Sequence, residues 1–201
     1  MAEIRAYRSG DLEALYDICV RTADAGADAR GVYRSDRLMG DLFAAPYAIL
    51  HPEVTFVVDD GGEAVGYVVG TPDTEDFVRR WGAEWQPVFA TRYPRPPDPP
   101  RDRHEEMVAL GYRPERMIVP EVADFPAHLH IDLLPPYQRR GYGRGLIEAF
   151  LGAVAKAGAP AVHLSMLTAN VQARAFYDRL GFTEIPVADA GVLTYLGRPT
   201  V

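Results

Sequence analysis

Only one cysteine, Cys19, occurs in the 201 residues, so no disulfide can close within the chain and no cluster of thiolates can hold a metal. Nothing here calls for an oxidising compartment. Long apolar runs are also missing. The opening stretch MAEIRAYRSGDLEALYDICV carries charge throughout, and no segment reaches the ~18 apolar residues of a membrane span. Basic excess is the third absence. With 21 Lys and Arg against 28 Asp and Glu, the formal charge is -7. That balance excludes broad binding to nucleic acid or anionic membranes, whose affinity comes from clustered cations neutralising phosphates. The expectation is a cytoplasmic protein without nucleic-acid or membrane partners.

What is present is ordinary globular material, 48% hydrophobic and 24% charged, which suits a single domain over residues 1–201. A short strand at 3–7 precedes a helix over 11–23 with Leu12, Leu15, Tyr16 and Cys19 on one face. A second helix over 36–45 ends before Pro46, and two β-rich runs over 54–70 flank Asp-Asp-Gly-Gly, a hairpin signal. Residues 71–126 break the rhythm with both tryptophans, a helix DTEDFVRRWGAEW, the tract PRPPDPP and a helical piece near HEEMVALG. This insertion reads as a lid or as a surface excursion. Trp81, Trp85, Phe89 and Tyr93 recur at fourfold spacing, a stripe that either packs on the body or lines an entrance. Asp73, Glu75, Asp76 and Glu84 could give such a rim a negative potential suited to a cationic amine. Order resumes with a strand over 127–134, a glycine turn, a helix over 144–158, a strand over 161–167, a helix over 170–181 and a last strand near GVLTYLG.

The turn QRRGYGRG packs three glycines and three arginines into eight positions at the carboxyl end of a strand, where open sheets bind ligands. A dinucleotide fingerprint fails because Leu146 stands where its third glycine belongs and no acid follows, and a P-loop would need Gly-Lys-Ser/Thr. A purely structural turn is the bland alternative. The remaining reading is an anion nest at a helix N-terminus, where unpaired amides and the macrodipole favour phosphate oxygens. Gly141, Gly143 and Gly145 permit close backbone approach, and Arg139, Arg140 and Arg144 add local charge to an acidic protein.

Gln138-Arg139-Arg140-Gly141-Tyr142-Gly143 matches in full the Gln/Arg-x-x-Gly-x-Gly/Ala signature of the GCN5-related N-acetyltransferases. One helix and one strand further on, Asn170 opens a segment in which Ala173, Tyr177, Gly181 and Phe182 match that family's next motif. The chain thus resembles this family most closely over 126–185. The insertion and HLHIDLLPPYQRRG resemble the acetyltransferase-like domain of O-GlcNAcases and its bacterial relatives. The resemblance implies an α+β or α/β fold with a mixed central sheet splayed between its fourth and fifth strands and flanked by helices. It implies acetyl-CoA as cofactor and an amine as acceptor. The rival reading, from another class, is a CoA-binding or interaction domain without turnover.

The family further implies that freed backbone near Leu133 and Leu134 bonds the pantetheine arm, with Gln138, Tyr142, Asn170, Ala173 and Phe176 also on the cofactor. Tyr177 is the expected proton donor to the departing thiolate, since a phenol of pKa ~10 stays protonated at neutral pH. A core aromatic is the alternative. Asn170 is also a natural helix cap. His128, His130 and Asp132 alternate and so share one strand face, with Leu129, Ile131 and Leu133 facing the core. Two histidines ~7 Å apart on a flat strand, with no convergent third ligand, make a poor zinc site. Asp132 is the candidate base, or equally a structural acceptor.

Overall fold

The computed structural model describes residues 2–201. Its elements are β1 (Glu3–Ala6), α1 (Leu12–Val20), α2 (Leu38–Phe43), α3 (Ala45–Leu50), β2 (Phe56–Asp60), β3 (Glu63–Thr71), α4 (Thr74–Arg80), α5 (Gln86–Arg92) and α6 (Arg103–Gly111). The second half adds β4 (Ala127–Leu133), α7 (Tyr142–Lys156), β5 (Ala161–Leu167), α8 (Val171–Asp178), β6 (Thr183–Ile185) and β7 (Leu193–Pro199). The seven strands form one sheet in the order β1-β2-β3-β4-β5-β7-β6.

One junction in that sheet differs from the rest. β3 and β4 pair antiparallel from Gly66↔Leu133 to Thr71↔His128, and β5 pairs with β7 over its whole length. β4 and β5 run parallel but pair only at Ala127↔Val162 and His128↔His163. Past His128 the two strands part, which is the splay that the resemblance implies.

Both faces of β4 are covered. α7 packs on the face of Leu129, and Phe150 lies so close to Gly70 that an added Cβ would sit 2.6 Å from its ring. The other face, with His128, His130 and Asp132, lies under Tyr47 of α3 and Phe77 of α4. The expectation that only the leucine face meets the core is thus corrected. The histidine face is core as well, lined with aromatics rather than aliphatics.

Local departures from the sequence reading have simple causes. The second helix stops at Ala44, whose φ of -132° is not helical, and Pro46 opens α3 instead of ending α2. Proline fits the first turn of a helix because its missing N–H has no partner there anyway. The first half of the insertion is core rather than a surface excursion. α4 runs into α5 through a π-helical turn, Trp81–Trp85, and Trp81, Trp85, Phe89 and Tyr93 are all buried in the main core. Three of the four acids expected to charge a rim are engaged. Asp73 caps α4 by accepting from the Asp76 amide at 3.0 Å, Asp76 pairs with Arg79, and Glu84 pairs with Arg80 at 2.8 Å.

The insertion is pinned by one fully buried carboxylate. Asp41 on α2 accepts from Tyr16 Oη at 2.5 Å, Tyr93 Oη at 2.8 Å and Arg92, while its carbonyl accepts from Trp85 Nε1 at 3.0 Å. Asp41→Ala leaves two phenols and a guanidinium without their acceptor, so stability should fall by roughly 3 kcal/mol. Urea unfolding measures this, and a loss below about 1 kcal/mol would show that the network does not hold the insertion.

Candidate functional site

The site is built where β4 and β5 separate. The Leu134 amide donates to Val65 on β3 at 3.0 Å, so by alternation along the strand the Leu133 backbone turns toward the gap. The Leu133 carbonyl accepts from Gln138 Nε2 at 2.9 Å. Of the two leucines expected to offer free backbone, Leu133 faces the gap and the Leu134 amide is already committed. On the opposite wall Ser165 is exposed in mid-strand, the position uncovered by the departure of β4.

The glycine turn lies at the carboxyl end of β4. After the turn Pro135–Tyr137, Arg139 takes a φ of 58° and Gly141 a φ of 91°, and Gly141 is the N-cap of α7 without a side-chain cap. The first amides of α7 therefore stay unpaired by the helix and point outward. Tyr137 Oη ties the turn to Asp60 at 2.7 Å. Arg139, Arg140 and Arg144 are exposed around it, and Tyr142 is half-buried. The glycines serve different ends. Gly141 supplies the left-handed conformation, and a Cβ there would meet open space. At Gly143 a Cβ would lie 3.1 Å from Phe176, so this glycine lets α7 approach α8, and at Gly145 it would strike Ile4. A loop with unpaired amides, open space above Gly141 and three exposed arginines fits a pyrophosphate.

α8 supplies the other wall. Asn170 Oδ1 accepts from the Ala173 amide at 3.0 Å, so the expected cap is made. Ala173 and Phe176 are half-buried, and Phe176 lies edge-on to Tyr177, whose ring also meets Phe182. Tyr177 is buried, and its hydroxyl is held well above the usual phenol range, first by burial and then by the charge of Asp132.

Asp132 has a partner that sequence reasoning missed. Tyr67 on β3, opposite Asp132 in register, donates its hydroxyl to Oδ2 at 2.6 Å. Burial pushes the Asp132 carboxyl up to about 6, while the hydrogen bond from Tyr67 pulls it down. The neighbouring histidines are neutral. Burial lowers His130 to about 4 and His128 well below its ordinary value, and Tyr47 Oη lies 2.9 Å from His128 Nε2 and 3.2 Å from His130 Nε2. Thr74 Oγ1 stands 2.7 Å from the other nitrogen of His128, leaving that ring no free position. Only the β3–β4 register and the docking of α3 reveal Tyr67 and Tyr47 as neighbours of these groups. Among the described residues no three His, Cys, Asp or Glu side chains gather to hold a metal. No helix among them is long and apolar enough to cross a membrane.

Residues 13–182 match the model of the acetyltransferase (GNAT) family, and the chain belongs to that family. Among solved structures, that of SsHAT is 59% identical with a TM-score of 0.96 and covers 100% of this chain and 98% of that one. Rat (Rattus norvegicus) protein O-GlcNAcase is 24% identical over 184 residues, which is 90% of this chain but 20% of that protein. This chain therefore spans about a fifth of the length of that relative. [Ribosomal protein bS18]-alanine N-acetyltransferase of Escherichia coli strain K12 is 35% identical over 66 residues, 33% of this chain and 45% of that enzyme.

The Asp132 environment makes a direct prediction. Tyr67→Phe removes a donor that favours the carboxylate, so the Asp132 pKa should climb above about 6. Carbon-detected NMR titration of the side chain reads this, and an unchanged or lower midpoint would show that the Tyr67 bond does not set the ionisation.

Proposed function

We propose that the chain moves the acetyl group from acetyl-CoA to a primary amine, with Tyr177 as proton donor to the leaving thiolate and Asp132 as acceptor of the amine proton. The observation that carries this reading is the gap past His128 with an uncapped glycine turn at its end. The exposed edge of β4 at Leu133 serves the pantetheine arm as a strand partner. The outward amides before α7, with Gln138, Arg139, Arg140, Gly141, Tyr142, Gly143, Arg144 and Gly145, hold the pyrophosphate. Asn170, Ala173 and Phe176 flank the arm from α8. A cytoplasmic setting fits a chain with a single, buried cysteine.

The chemistry follows from the electrostatics. Burial keeps the Tyr177 phenol protonated at any physiological pH, so it is charged with a proton when the thiolate departs. The Asp132 carboxylate, raised to about 6, is ionised at neutral pH yet more basic than a solvated aspartate. A second reading, CoA binding without efficient turnover, is favoured by the match over nine-tenths of the chain to a segment of an O-GlcNAcase. Thiol release from acetyl-CoA over a panel of amines separates the two.

Two variants test the roles. Gly141→Val forces a β-branched residue to a φ of 91° in the middle of the turn, and CoA affinity should drop at least tenfold, about 1.4 kcal/mol. Unchanged affinity in a folded variant removes the cradle. Tyr177→Phe deletes only a hydroxyl. CoA should bind as before in calorimetry while turnover falls roughly 10²-fold or more. Equal losses in binding and turnover would make Tyr177 a packing residue.

A further inference from the structure

The proline tract after α5 walls a cavity of its own. The chain from Tyr93 to Pro97 faces the first turns of α6, and Arg34, in the connection from α1 to α2, completes the lining of ≈ 240 Å³. That is the volume of about eight waters, room for a phosphate group and a few atoms beyond it. None of the lining residues belongs to the glycine turn, β4, β5 or α8. The wall is held from behind. Tyr112 Oη donates to the Tyr93 carbonyl at 2.5 Å, Tyr93 Oη donates to Asp41 at 2.8 Å, and Pro94, Pro96 and Pro97 stiffen the stretch through their fixed φ angles. On the facing side Asp102 caps α6 by accepting from the Glu105 amide at 2.9 Å.

The lining is cationic in a protein whose formal charge is -7. Arg34, Arg92, Arg95 and Arg101 face a single lining carboxylate, Glu105. Three of these arginines have acids of their own. Arg34 pairs with Asp102, Arg92 with Asp41, and Arg101 with Glu105 at 2.6 Å. Arg95 has none among the described residues. Its guanidinium lies 4.5 Å above the Tyr112 ring and makes no hydrogen bond, so its whole fork is free. Four guanidiniums thus meet three carboxylates, and one positive charge is left over. Donors are left over too. Arg92 is engaged through Nη1, Arg34 through Nη2 and Arg101 through Nε and Nη2, so each keeps at least one nitrogen uncommitted. Beside them the Nδ1 atom of His104, another lining residue, is buried and makes no hydrogen bond. A buried polar atom without a partner is costly, and in its N–H form this nitrogen calls for an acceptor from outside the chain.

We propose that this cavity binds a phosphate monoester, its head met by the free fork of Arg95 and the uncommitted nitrogens of Arg34, Arg92 and Arg101, with His104 Nδ1–H on a further oxygen. The number of donors selects phosphate over carboxylate. A carboxylate has two oxygens and one charge, which a single planar fork satisfies. Donors from four arginines on three segments suit the three oxygens and near-double charge of a phosphate. The ester is a small metabolite or the phosphorylated side chain of a polypeptide, and the recognising chemistry is the same for both. The site stands apart from the transferase reading, with which it shares no residue.

Proton–nitrogen NMR of the full chain tests it, because the Arg95 and His104 side chains report on this cavity and not on the glycine turn. Inorganic phosphate, glycerol 3-phosphate, malonate and an end-blocked peptide with one phosphoserine are titrated at constant ionic strength, beside the same peptide without its phosphate. Phosphate should move the Arg95 Nε–H, the His104 ring and the Tyr93 amide along one saturating curve, and malonate should bind more weakly. The tighter of glycerol 3-phosphate and the phosphopeptide identifies the source, and equal affinity shows that the phosphate head alone is recognised. Arg95→Gln, which breaks no ion pair, should weaken phosphate about tenfold while the melting temperature and CoA affinity stay unchanged. Arg95→Lys, which keeps the charge but not the fork, should lose less. His104→Phe, which keeps a ring without a nitrogen, should also weaken binding. Shifts that do not saturate, malonate binding as tightly as phosphate, or full affinity in Arg95→Gln overturns the proposal. So does equal binding of the two peptides when neither phosphate nor glycerol 3-phosphate binds.

Discussion

The two-residue junction between β4 and β5 is the constraint on which the rest depends. A sheet interior normally consumes every backbone N–H and C=O, and buried groups left unpaired are costly. Here β4 is fully bonded to β3 on one edge, and β5 to β7 on its own far edge. Each strand therefore belongs to a stable half-sheet, and the halves can part without either losing its register. The gap has two consequences. It exposes one edge of β4 as a template for an extended molecule, and it opens a route to side chains in mid-sheet, where Asp132 and Ser165 lie. The halves are brought together again above the gap by helices, at the point where Gly143 of α7 lets Phe176 of α8 come close.

Covering both faces of β4 gives this gap its electrostatic character. Tyr47, Phe77 and the neutral rings of His128 and His130 pack together on the face that carries Asp132, and burial holds that carboxyl up at about 6. The same enclosure keeps the Tyr177 phenol protonated. Asp132 and Tyr177 are thus both shifted upward by burial, with their ordinary order preserved. The overall charge of -7 has no part in this, because the shifts arise from local burial.

The legible parts of the site were those encoded locally. Consecutive glycines and arginines announce a turn at a strand end, Asn170 announces a cap, and alternation places His128, His130 and Asp132 on one face. The illegible parts depend on relations between elements. Tyr67 becomes the partner of Asp132 only through the β3–β4 register, and Tyr47 reaches the histidines only because Pro46 starts a helix instead of ending one. The aromatic spacing from Trp81 to Tyr93 was visible, but a stripe on a helix does not say what it faces. Asp41, which Tyr93 and Trp85 both reach, lies more than forty residues upstream. The proline tract suggested a loose excursion, whereas the residues before it are core.

The value reached by Asp132 limits how it can serve as the proposed base. A free alkylammonium has a pKa of ~10.4, so moving its proton to a carboxyl near 6 in the ground state is uphill by more than four units, about 6 kcal/mol. The amine therefore attacks as its free base, the ammonium proton having left to solvent. Bond formation to the thioester carbon then makes the nitrogen, which has donated its lone pair to carbon, a far stronger acid. On this argument the Asp132 carboxylate takes the proton from the tetrahedral adduct, not from the incoming ammonium. The pocket needs only to hold it ionised and dry beside the forming bond, and the Tyr67 hydroxyl favours the ionised form. Collapse of the same adduct then calls for a proton on sulfur, the role proposed for Tyr177, whose phenol burial keeps protonated.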